Sequence, residues 1–555
     1  MKNYISIILL LMISMSLKSQ PIFNAQDTLR GSLNEQRDWF DIQHYDISVT
    51  PNFESKSIMG QVGWMAKVLK PVKNIQIDLQ EPLIIDSVLY NSPISKLSKS
   101  LTFSRNKNVA IVNFHEQLNI NSNFNIQIYY HGVPREAIRP PWDGGWIWKK
   151  DANGKPWMSV ACQGLGASVW YPCKDHQSDE PDQGASLTIH VPDSLMAIGN
   201  GRMIKKENNN HLTSYTWKVK SPINNYNIVP YIGDYIGWSD HYNGLNGNLD
   251  IHYWVLKQDS SKAKTQFTQV AQMLKAFEYW MGPYPFYEDG YQLVQSPHLG
   301  MEHQSAIAYG NKFANGYLGR DLSGSGWGLK WDYIIVHESG HEWFANNITT
   351  NDIADMWIHE GFTDYTETLM TEYYHGIEAG NDYNFGLRRS IQNNKPLIAH
   401  YGVNEEGAGD MYNKGANLIH TLRHSLGIDT LFRKILINLN KDFYHKTVNS
   451  IDIENYISKY AGFNFNKFFD QYLRTTQIPT FVYQFDEKEK ILTYQWKNCI
   501  VGFNLPLNLN YKGKKYLLNP MDYIPQKKLI TQADFDIKEF IQLINRLYYV
   551  NTSLE

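Results

Sequence analysis

Residues 331–360 read WDYIIVHESGHEWFANNITTNDIADMWIHE. If the apolar run Ile334, Ile335 and Val336 continues as helix through Trp343, His337 and His341 face the same way one turn apart, with roughly 5–6 Å between their Cβ atoms. Two imidazoles so placed suit one zinc ion. Glu338 follows the first histidine directly, so it lies beside such an ion rather than on it, where a carboxylate can act as general base toward water. The apolar run predicts a buried helix, and inward-facing histidines are costly there unless a metal satisfies them. Glu360, separated from His341 by eighteen intervening residues, is the natural third ligand on the run MWIHEGFTDYTETL. Asp364 and Glu367, one and two turns on, are placed to accept hydrogen bonds from the ligand imidazoles.

The rest of the chain bounds what such a site could serve. A chain of 555 residues is too long for a single core and predicts several domains. Hydrophobic and charged fractions of 43% and 19% are those of a soluble globular protein, and 36 tyrosines and 16 tryptophans favour strands and aromatic-lined clefts. A net charge of −3 with no basic stripe excludes a nucleic-acid footprint. Residues 1–20 carry Lys2, an apolar run from Ile5 to Leu17, then Lys18, Ser19 and Gln20. This reads as a secretory signal, with residues 1–19 removed, a secreted or periplasmic mature chain, and no stable membrane span afterwards. Cys162, Cys173 and Cys499 are odd in number and form no CxxC unit, so neither a disulfide framework nor cysteine metal ligation is expected.

From about residue 38 to 238 the pattern has period two, as in HYDISVT, NIQIDLQ, NVAIVNF, FNIQIYYHG and SLTIHVP, and predicts an antiparallel β domain over residues 20–240. The period changes near Ser260. Helices are expected from there to Gly282 and over residues 354–374, 415–426, 429–439 and 451–460, with a strand at YQLVQ from Tyr291, giving a mostly helical domain over 241–477. Alternation returns in TFVYQF, ILTYQW and LNLNYKG, so residues 478–555 read as a small β-rich domain. The stretch DIKEFIQLINRLYYV suits helix or strand equally. The whole is a multidomain α+β protein.

Two histidines and one carboxylate leave a fourth position on zinc open, which is the arrangement of a hydrolase rather than of a closed structural site. His337-Glu338-x-x-His341, Glu360-Gly361-Phe362 and, upstream, Gly300-Met301-Glu302 together resemble the gluzincin aminopeptidases that include aminopeptidase N and leukotriene hydrolase. The resemblance runs through most of the chain. It implies an N-terminal β saddle before a thermolysin-like catalytic domain, one zinc ion, and peptides with a free N-terminus as substrates. It assigns Gly300, Met301 and Glu302 to a cleft edge whose backbone pairs with the peptide and whose glutamate holds the α-amine. Tyr412, in Tyr412-Asn413-Lys414-Gly415, takes the place of the tyrosine that hydrogen-bonds the oxyanion. Gln163, nine residues before Pro172, takes that of the amine-binding glutamine.

The chain departs from the family pattern at His303, where an asparagine is usual, at Glu342 and Ala345, and at His359. Asn404 and Gly407 stand where leukotriene hydrolase has an aspartate and a tyrosine, so epoxide hydrolysis is not carried over. A zinc aminopeptidase is the implied function. The alternatives are an endopeptidase with the same zinc core and an inactive peptide-binding protein of the same fold.

Overall fold

A computed structural model describes residues 23–71, 73–91 and 98–555; the signal-like residues 1–19 lie outside the described residues. The period-two segments form a ten-stranded sheet in which Phe40–Asn52 runs antiparallel to Ser57–Val68 and parallel to Ala185–Pro192. Alternation produces this directly. Tyr45, Ile47 and Val49 are buried on one face while Asp46 between them is exposed. A second sheet of four strands, with Pro156–Ala161 between Tyr231–Gly233 and Gly145–Lys150, lies in the same unit. Gln163 follows the end of Pro156–Ala161 by two residues.

The next unit begins with a five-stranded sheet. Tyr235–Gly244 and Gly247–Leu256 form a hairpin, Tyr291–Gln295 and Ile307–Tyr309 follow in parallel, and Gly300–Met301 is the antiparallel edge, with Gly300 opposite Tyr309. α1 (Tyr333–Gly340) lies against this sheet, α2 (Trp357–His375) packs on α1, and α3 (Asn413–Leu426) packs on α2. Asp332 caps α1, its carboxylate accepting from the Ile334 and Ile335 amides.

Several local expectations are corrected. α1 stops at Gly340 instead of running to Trp343. Residues Glu342–Asn346 form a wider π turn with Phe344 and Ala345 outside helical geometry, the kind of irregularity that gathers at functional sites. His341, the last residue before it, keeps helical backbone angles, so the pairing with His337 survives. The helix from Ser260 is two helices, Ser260–Gln266 and Gln269–Met281. Helices Ile377–Leu387 and Asn466–Arg474 were not anticipated. IEAGNDYNFGL is rich in poor helix formers, and burial of Ala379, Tyr383 and Leu387 overrides that propensity. The ambiguous terminal stretch holds a helix, Ile537–Leu547 capped by Asp536, followed by a strand, Asn551–Leu554, parallel to Thr480–Asp486. The C-terminal strands share one continuous core with the helices, Phe481, Trp496 and Leu507 belonging to the same buried cluster as Trp343 and Trp357.

α2 and α3 cross at two glycines. A Cβ on Gly415 would stand 2.7 Å from the Gly361 Cα, and one on Gly361 would stand 3.1 Å from the Gly415 Cα. A buried bidentate pair, Arg423 Nη1 and Nη2 to Glu372 at 2.6 and 2.8 Å, ties the same two helices two turns along. The crossing brings Tyr412, at the start of α3, toward Glu360, the neighbour of Gly361. Gly415→Ala forces a methyl against backbone that cannot yield locally. It should cost about 1–3 kcal/mol, read as a lower thermal unfolding midpoint; an unchanged midpoint would show that the crossing is not tight.

Candidate active site

His337, His341 and Glu360 converge in a cleft of about 280 Å³ between the β unit and the helical unit. The Nε2 atoms of His337 and His341 stand 3.7 and 3.3 Å from Glu360 Oε2, and one ligand atom from each of the three residues lies within 4.8 Å of the others. The opposite nitrogens are engaged. His337 Nδ1 donates to Glu367 Oε1 at 2.7 Å, and His341 Nδ1 lies 3.1 Å from the Phe344 carbonyl and from Thr363 Oγ1. Glu367 is held in turn by the Tyr383 hydroxyl at 2.5 Å. Acceptors on Nδ1 direct Nε2 of each ring at one point, where Glu360 Oε2 is buried with no hydrogen-bond partner and where each Nε2 can offer its lone pair to a cation. This donor set fits a zinc ion, with His337, His341 and Glu360 as ligands.

Electrostatics agree with that fit. Burial works against charge on both imidazoles, but Glu360, joined at His337 by Glu367, outweighs it and holds both above the ordinary histidine value. Burial alone would raise Glu360, yet His341 and His337 hold it below the usual carboxylate range. Asp364 is pushed well above that range by burial and then by Glu367, so it sits protonated beside Glu367. Its carboxyl group comes within 4.8 Å of a His337 ring nitrogen, but among the described residues only Glu367 of the two acids hydrogen-bonds an imidazole.

Glu338 is buried and its carboxyl is pushed up to about 7, chiefly by burial. Gly300 makes room for it, since a Cβ there would stand 2.5 Å from Glu338 Oε1. Met301 is buried at the cleft edge beside it. Glu302 accepts from the Gln163 amide nitrogen at 2.6 Å and from the Tyr226 hydroxyl at 2.8 Å, both on Oε1. With its amide nitrogen so committed, the Gln163 carbonyl oxygen is left to accept from a ligand. Tyr226 was not anticipated: it lies in NNYN, which carries no motif, and only the folding of the β unit against residues 300–305 brings it here. Tyr412 lines the same cleft, its ring stacked on His337 with centroids 6.0 Å apart. Burial, then Glu360 and Glu302, raise its phenol well above the usual value, so it remains a donor.

The departures from the family pattern prove to be supports. His303 Nδ1 donates to the Tyr231 oxygen at 2.5 Å while that hydroxyl donates to the Ala306 carbonyl at 2.7 Å; the ring is fully buried behind Glu302 and outside the cleft lining. His359 accepts from the Thr350 amide at 3.0 Å, burial bringing it down to about 3 and so keeping it neutral. Glu342 accepts from the Ser305 amide and the Tyr284 hydroxyl, each at 2.9 Å, which straps the segment carrying Glu302 to the end of α1.

Two family models match the chain: the peptidase M1 N-terminal domain over residues 42–226 and the peptidase family M1 domain over residues 266–472. Leukotriene A-4 hydrolase of Xenopus laevis is 22% identical over 76% of this chain and 68% of its own length. Aminopeptidase N of Lactococcus lactis subsp. lactis is 23% identical over 62% of this chain and 42% of its own. Leucine aminopeptidase 2 of Vanderwaltozyma polyspora is 22% identical over 61% of this chain and 48% of its own. The chain thus spans about half the length of most of the curated relatives it matches. Among solved structures, an M1 zinc metallopeptidase of Deinococcus radiodurans superposes with a TM-score of 0.66 at 20% identity, covering 79% of this chain and 95% of that one. A second structure of that protein, bound to a Tyr-Ser-Ala substrate, gives a TM-score of 0.65 at 20% identity over 80% and 96%.

If Glu367 orients His337, Glu367→Ala should weaken zinc binding roughly 10–100-fold. Competition with a chromophoric chelator measures this directly, and an unchanged affinity would remove Glu367 from the metal centre.

Proposed function

The chain belongs to peptidase family M1, and from that premise we infer that it is a zinc-dependent aminopeptidase releasing the first residue of peptides. The observation that carries this reading is the Gln163–Glu302–Tyr226 cluster, set in the same cleft as the metal ligands. Glu302 is a buried carboxylate whose neighbours there are neutral donors. A cation beside it would complete its surroundings, and the terminal ammonium of a peptide is such a cation. An endopeptidase has no use for this arrangement.

When bound, zinc supplies a Lewis acid that polarises the scissile carbonyl and makes water acidic enough to attack at neutral pH. The chain's own groups do the rest. Gln163 and Glu302 fix the α-amine, the backbone of the edge strand Gly300–Met301 is available to pair with the peptide, and Glu338 takes the proton of the attacking water and hands it to the leaving amine. The Tyr412 hydroxyl donates to the oxygen that becomes negative in the tetrahedral intermediate. Lys414, two residues on, donates to the Thr475 carbonyl at 3.0 Å and so anchors the start of α3 behind that hydroxyl. Action outside the cytoplasm is part of the same reading, supported by the signal pattern of residues 1–19. Among the described residues no helix is long and apolar enough to cross a membrane.

N-acetylation of a peptide removes the ammonium, and turnover of the blocked peptide should fall at least a hundredfold below that of the free one; equal turnover would make the enzyme an endopeptidase. Chelation should abolish activity and zinc restore it. Glu338→Gln should lower kcat by a hundredfold or more while zinc stays bound. The base must be ionised, and burial raises Glu338 to about 7 while a cation in the site draws it lower. The acid limb of kcat/KM should therefore fall as pH drops, with its midpoint at or below pH 7. A limb rising toward acid pH would rule out Glu338 as the base.

A further inference from the structure

One carboxylate in the cleft has no work in the scheme above. Glu406 lines the cleft six residues before Tyr412. Among the described residues its side chain makes no hydrogen bond and no ion pair. It lies against Gly164, the residue after the amine-binding glutamine; a Cβ on Gly164 would stand 3.0 Å from Glu406 Oε1. Arg30 and Lys395 act on it electrostatically, but among the described residues neither forms an ion pair with it. Glu302, Glu338 and Glu360 also line the cleft, and no lysine or arginine does. Arg30, the nearest guanidinium to this wall, is spent behind it on the carbonyls of Gln163 and Gly164 and on Asp175.

The opposite flank of the same segment is aromatic. Trp142 lines the cleft and is 72% exposed, the one tryptophan among the exposed large apolar residues. It stands on a turn with little freedom. The Asp143 carboxylate accepts from the Ile138 and Arg139 amides at 2.7 and 2.9 Å, the Trp142 amide donates to the Arg139 carbonyl at 3.1 Å, and Gly144 packs on Leu165. Gln163, Gly164, Glu302, Glu406 and Trp142 line one cleft, so a first side chain leaving an amine held at Gln163 and Glu302 has a carboxylate and an exposed indole within the same cavity.

We propose that Glu406 and Trp142 form a first-side-chain subsite selective for cationic residues, arginine above all, with Glu406 as the specificity-determining group. A guanidinium is matched by both walls at once. Its fork pairs with a carboxylate, and its planar, weakly hydrated face stacks on an indole. Lysine satisfies the charge but not the plane, and acidic side chains meet a cleft already crowded with negative charge. Gly164 belongs to the same device, since any larger residue would fill the space in front of Glu406.

The proposal rests on the aminopeptidase reading, and its test separates the two. Values of kcat/KM are measured for arginyl, lysyl, leucyl and glutamyl arylamides with the full-length zinc enzyme and with Glu406→Gln, Glu406→Lys and Trp142→Ala. The wild type should favour arginyl over leucyl. Glu406→Gln should lower that ratio tenfold or more, Trp142→Ala several-fold, and Glu406→Lys should raise glutamyl above arginyl. Wild-type turnover with a ratio that ignores both Glu406 variants overturns the subsite and leaves the aminopeptidase reading standing. No turnover of any arylamide by the wild type overturns both.

Discussion

The arrangement depends on a single constraint: Glu302, Glu338, Glu360, Asp364 and Glu367 are gathered with two imidazoles inside a region from which water is largely excluded. Carboxylates so crowded repel one another and lose hydration, and a buried charge without a partner is among the most costly features a fold can carry. Two responses are visible. Asp364 gives up its charge beside Glu367, while Glu360 keeps its own against His337 and His341. The remaining demand is for positive charge, met at one end of the cleft by a metal ion and at the other by the ammonium group of a substrate. On the proposed reading, metal site and amine site are two solutions to one electrostatic problem, and their separation sets the length of a single residue.

Holding that cluster together falls to contacts between elements far apart in the chain. The amine anchor is built across the boundary between units: Gln163 and Tyr226 come from the β unit, Glu302 from the edge of the next sheet. The metal ligands come from two helices, and Tyr412 from a third that can approach only because Gly361 and Gly415 lack side chains. Gly300 serves in the same way, leaving space for Glu338. At each of these positions the working group is polar and the enabling residue is a glycine.

The histidines and the glutamate that break the family pattern have a common character. His303, His359 and Glu342 are all buried, and all hydrogen-bond to backbone or hydroxyl groups behind the residues that do the chemistry. His303 and His359 are neutral there, burial removing their charge. They change how the walls of the site are braced without changing what faces the substrate. Residues that line the cleft itself lie elsewhere, Glu406 and Trp142 among them, in loops. That division follows from packing. A bracing group must satisfy its neighbours in a dense interior, whereas a rim residue answers only to the ligand.

By itself the sequence pointed to His337, His341 and Glu360 as a group that could hold a metal with Glu338 beside it, and it determined the helical character of the segment bearing the two histidines and the β nature of the front of the chain. These are local facts: a four-residue spacing and a two-residue alternation follow from backbone geometry and need no knowledge of distant contacts. The same locality explains the misses. The π turn after Gly340 and the helix over Ile377–Leu387 run against local propensity and exist because burial outweighs it. Tyr226, the choice of Glu367 over Asp364 as the acid on His337, the Gly361–Gly415 crossing and the meeting of Glu406 with Gly164 join residues from tens to hundreds of positions apart. No periodicity records such pairs, because each is fixed by the way whole sheets and helices dock, and only the tertiary structure decided them.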